Sequence, residues 1–126
     1  MKSPRQSHLR ALLLTRFEEE AADLPTASRL RWLGEHLTEY VDRWAGSLDL
    51  GLAPEDPCTG DLFGMVEVGA EVIAGELDAD SPLPAAVEWK SFSDALARAR
   101  GSSDERCRED LRKSAQRLLA TLTPVV

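Results

Sequence analysis

The sequence predicts an all-α, single-domain bundle over residues 1–126, built of about five mostly antiparallel helices with one long loop at about 47–60. Three observations point there. Apolar residues recur at three- and four-residue steps in five separate stretches. Proline or glycine marks each break between them. Period-two alternation, the mark of a half-buried strand, is confined to residues 66–72. With 43% hydrophobic and 29% charged residues the chain is globular rather than disordered, and with only 6% aromatic its core must be leucine, valine and alanine.

The first helix starts at Ser3-Pro4, a hydroxyl cap followed by proline at the first helical position. Leu9, Leu12, Leu13, Phe17, Ala21 and Leu24 form its apolar face, Pro25 ends it, and Arg16 and Glu20 read as a local i,i+4 ion pair. The second helix runs from Thr26 to Ala45, stopped by Gly46, with Leu30, Leu33, Leu37, Tyr40, Val41 and Trp44 as its seam. At 100° per residue, Trp32 falls opposite that seam beside His36, Glu39 and Arg43. It is either an apolar anchor for a partner or the seat of a further helix.

Residues 47–60 contain two prolines and two glycines, and a loop of that length is either functional or mobile. Asp61 then caps a third helix over 62–77. Leu62, Met65, Val66, Gly69, Val72, Ile73 and Leu77 wrap more than half its circumference, the profile of a central, mostly buried helix. Glu67, Glu71 and Asp78 gather in the remaining arc with Gly64 and Gly75. The strand alternative rests on Val66, Val68 and Val72, but a lone strand among helices has no partner. Asp80 or Ser81 starts the fourth helix, whose face is Ala85, Trp89, Phe92, Leu96 and Ala99. Ser91 and Ser93 are candidate kink points, and Gly101 ends it. Ser102 and Glu105 have capping-box spacing before a last helix carrying Cys107, Leu111, Ala115, Leu118 and Leu122.

Charge is distributed unevenly along the chain. Residues 1–43 are neutral, 90–126 carry +3, and 44–89 hold ten acids and no lysine or arginine, for a total of −7. Nucleic acid and anionic membranes are unfavourable partners for such a chain, and a basic protein is the favoured one. No stretch is long and apolar enough for a signal peptide or a membrane span, and two cysteines, Cys58 and Cys107, are too few for a disulfide scaffold, which implies the cytoplasm. Twelve arginines against three lysines fit a GC-rich, bacterial genome.

No catalytic, cofactor or metal motif stands out. The carboxylate pairs Glu35/Glu39 and Glu67/Glu71 have i,i+4 spacing, and four carboxylates on facing helices are able to hold a divalent ion. Glu35 and Glu39, however, project away from their own seam. His8 and His36 lack ligand spacing to each other or to a cysteine, and neither the nucleophile elbow nor the phosphate-binding loop occurs.

The expectation is a non-catalytic acidic module that docks on and occludes a basic protein, through Glu55, Asp56, Asp61, Glu67, Glu71 and Asp78, with Trp32 or Leu52 as apolar anchor. In size and charge it is similar to bacterial immunity proteins and antitoxins, though no motif carries that likeness. Two rivals stand beside it: a metal-dependent hydrolase or small-ligand bundle using Glu67/Glu71, and a self-associating structural subunit. Arg106, Lys113 and Arg117, a basic line on the last helix, are the internal candidates for neutralising the acidic arc.

Overall fold

The computed structural model describes residues 4–53, 55–77, 83–102 and 104–122, with the backbone alone for residues 4–7, 10, 26, 27 and 83–86. Five helices form: α1 Pro4–Glu20, α2 Thr26–Asp49, α3 Pro57–Glu76, α4 Leu83–Ala99 and α5 Glu105–Leu122. There is no strand among the described residues. The alternating stretch 66–72 is helical because α3 is enclosed on most sides, so that Val66, Val68 and Ile73 are all buried whatever their parity.

Helix ends depart from expectation wherever two capping signals compete. Gly46 does not stop α2. The helix continues to Asp49 and so buries Ser47 and Leu48. Gly51, at φ 94°, is where the chain turns. There the Leu52 N–H donates to the Ser47 carbonyl and the Gly51 N–H to the Leu48 carbonyl, a Schellman closure. Asp61 does not start α3. Asp56 does, its side chain accepting from the Cys58 N–H at 2.9 Å with Pro57 at the first helical position. The long loop therefore shrinks to residues 50–56.

The Ser102–Glu105 box is replaced by Asp104, whose carboxylate accepts from the Arg106 N–H, while Ser102 Oγ accepts from the Asp104 N–H. Gly101, at φ 69°, does end the fourth segment, and α4 runs unbroken past Ser91 and Ser93. The Asp80–Ser81 start signal lies outside the described residues.

α2 with α3 and α4 with α5 make two hairpins, which join along α2 and α5; α1 packs against α3 and reaches α2 through Arg16 and Phe17. Leu33, Leu37, Val41 and Trp44 of α2 meet Phe63, Val66 and Ile73 of α3 and Leu111, Ala115 and Leu118 of α5 in one continuous core. Gly64, expected on the exposed arc, is instead buried: an added Cβ would sit 2.7 Å from Leu9 Cδ1, so the missing side chain lets α1 approach α3. Leu13 and Ala21 are buried, whereas Leu12 and Leu24 of the expected apolar face are 48% and 38% exposed. α3 and α4 touch each other far less than either touches its hairpin partner, and a groove lies along their seam. Among the described residues no helix is long and apolar enough to cross a membrane.

Candidate functional site

Glu67 and Glu71 stand one turn apart on α3, about 40° from each other around its axis. Because the rest of that turn is buried, they form its solvent edge, as the sequence implied. They open onto a groove of about 360 Å³ between α3 and α4. Its α3 wall is Glu67, Ala70, Glu71 and Ala74. The opposite wall is Trp89, Ser93 and Leu96 of α4 with Arg100 just beyond it. The groove exists because alanine and serine face each other where larger residues would fill the seam. Its Trp89 indole N–H donates to the Ala70 carbonyl at 3.2 Å, which fixes the ring across the two helices.

Arg100, in the turn just past the end of α4, donates to Glu67 at the rim of this groove. The side chain of Arg100 is 65% exposed and that of Glu67 23%. Neutralisation of the acidic middle third thus comes mainly from arginines other than those expected. Arg29 of α2 pairs with Glu76 at 3.2 Å, and Arg108 and Arg112 of α5 pair with Asp49 at 3.4 and 3.8 Å. Of the expected basic line, Arg117 reaches one of the ten acids, Glu88, at 3.4 Å. Burial works to lower the Arg112 pKa, but its hydrogen bond to Glu109 and the charges of Glu109, Asp42 and Asp49 outweigh this and raise it above its ordinary value.

The remaining predicted residues are not one patch. Glu55 is exposed in the α2–α3 loop, and Asp56 is engaged as the α3 cap. Asp56 lies about 16 Å along the helix axis from Glu67, and Glu55 precedes it in the loop. Asp61 is half-buried and about 120° around α3 from Glu67. Asp78 lies outside the described residues. Trp32 is not an outward anchor. It is half-buried, edge-on to Phe17 of α1 and stacked on His36 at 3.9 Å between ring centroids. Arg16 closes that cluster, holding Glu20 and donating to His36 Nε2 and the Tyr40 hydroxyl. Since a guanidinium only donates, His36 accepts at Nε2 and donates from Nδ1 to the Trp32 carbonyl.

Sequence reasoning missed Trp89, Ser93 and Arg100 as site residues, because the first reads as core spacing and the pairing of Arg100 with Glu67 spans 33 positions. It also passed over Leu50, 86% exposed beside Asp49 at the loop tip. Glu35 and Glu39 are held by Arg31 and Arg43 of their own helix, away from Glu67 and Glu71. Among the described residues no three of histidine, cysteine, aspartate and glutamate gather as a metal site, and Cys58 and Cys107 are both unbridged.

Comparison with known families, curated proteins and solved structures finds no match to this chain.

Proposed function

We propose that the chain is a non-catalytic protein-binding module that docks by its acidic side on a basic protein and covers that protein's surface. The observation that carries this reading is the α3 edge, where Glu67 and Glu71 border an open groove on a helix otherwise enclosed. The net charge of −7 steers a cationic surface toward the molecule and repels an anionic one.

Leu50 and Leu52, both exposed at the end of α2, add apolar contact area next to Asp49 and Glu55. The role is of the kind played by immunity proteins and antitoxins, which shield a basic toxin. Two unbridged cysteines accord with a reducing cytoplasm.

The test is capture from extracts of the native host on wild-type and Glu67→Gln/Glu71→Gln protein, followed by calorimetry with the purified captured partner. A basic protein should bind the wild type, with at least tenfold weaker binding and a flatter salt dependence for the double variant. Equal affinity of the two forms at low salt sinks the reading.

A further inference from the structure

We infer that the α3–α4 groove receives an arginine side chain of the basic partner, and that Arg100 is the chain's own guanidinium held at the groove mouth until the partner's displaces it. This rests on the docking role proposed above and specifies its chemistry.

The groove already pairs with this functional group. Arg100 donates to Glu67 from the solvent side, at the rim, with its side chain 65% exposed. The groove that the pair borders, lined also by Ala70, Ala74 and Ser93, has about 360 Å³ of open volume, within the size range of small-ligand pockets. Three features suit a guanidinium in particular. A carboxylate accepts its planar N–H fork in a two-point bond. The Trp89 ring, immobilised by its bond to the Ala70 carbonyl, offers a fixed aromatic wall for stacking. Leu96 supplies apolar surface for the methylene stem. A lysine ammonium can use the charge but neither the fork geometry nor the stacking.

Charge agrees with this occupant. The lining carries two carboxylates and one guanidinium, so exchanging Arg100 for the partner's arginine leaves the local charge unchanged. The exchange is cheap, since an exposed ion pair contributes little; competition by Arg100 lowers affinity by only about fivefold.

The experiment uses hexa-arginine and hexa-lysine peptides at low salt, followed through the Trp89 indole N–H resonance of the full chain. Wild type should bind hexa-arginine several-fold more tightly than hexa-lysine. Arg100→Gln should raise hexa-arginine affinity about fivefold. Ala74→Leu, which fills the groove without changing charge, should abolish the preference; a circular dichroism spectrum checks that each variant is folded. Equal binding of the two peptides that is still lost in Glu67→Gln/Glu71→Gln overturns the arginine receptor and leaves the docking role standing. Weaker hexa-arginine binding by Arg100→Gln overturns it in the same way. No binding of either peptide that depends on Glu67 and Glu71 removes both.

Discussion

Ser47 and Thr59 bury their hydroxyls against each other between α2 and α3, 7% and 1% exposed, at an O–O distance of 3.1 Å. Ser47 has one proton and gives it to the Trp44 carbonyl at 2.7 Å, so the Thr59 O–H must donate to Ser47 Oγ. The two positions are therefore unequal. Ser47→Ala leaves the Thr59 donor buried with its partner gone and should cost about 1–3 kcal/mol. Thr59→Val removes the donor and leaves Ser47 bonded to Trp44, so it should cost less than about 1 kcal/mol. The double variant should be more stable than Ser47→Ala alone, a sign reversal that urea denaturation reads directly. Additive losses would show that the hydroxyls do not depend on each other. The rim pair of Glu67 and Arg100 belongs to a different regime: partly exposed and single, it should yield under about 1 kcal/mol when Arg100 is changed to alanine.

Each helix rests on an end signal and an apolar face, and the two were not equally legible. The faces of α2 and α5 were, because Leu33, Leu37, Val41 and Trp44, or Leu111, Ala115 and Leu118, repeat at a spacing that only a helix satisfies. The ends were ambiguous, since neighbouring residues carry the same local signal and burial elsewhere decides between them. Gly46 and Gly51 both qualify as stops, and the one after Leu48 prevails because an extra turn of helix places Leu48 in the core. Asp56 prevails over Asp61 because proline follows it. Asp56→Ala should thus lower stability by about 1 kcal/mol, while Asp61→Ala should cost distinctly less. Thermal melts of the two variants decide it, and the reverse order would return the cap to Asp61. The α3 edge was legible for the same reason as the faces. Its groove was not, since Trp89 and Ser93 enter it only through the packing of two hairpins, which no local pattern encodes.

At the scale of the molecule, a surplus of seven negative charges coexists with arginine bridges between helices, and the two respond to salt over different distances. The Arg29–Glu76 bridge holds its charges 3.2 Å apart, inside the Debye length of roughly 10 Å at 0.1 M salt, and is screened little. Repulsion among the acids of residues 44–89 acts over longer spans and is screened first. Raising sodium chloride from about 0.02 to 0.3 M should therefore stabilise the fold, by roughly 1 kcal/mol, or about 3–5 °C in Tm for a chain of this size. Glu55 isolates the effect, because it is exposed and makes no ion pair among the described residues. Glu55→Gln should melt slightly above wild type at low salt, and the gap should close as salt rises. A Tm that falls with salt would mean that the bridges, and not the repulsion, dominate the electrostatics. In that case the acidic segment would act mainly as glue between helices rather than as a field facing outward.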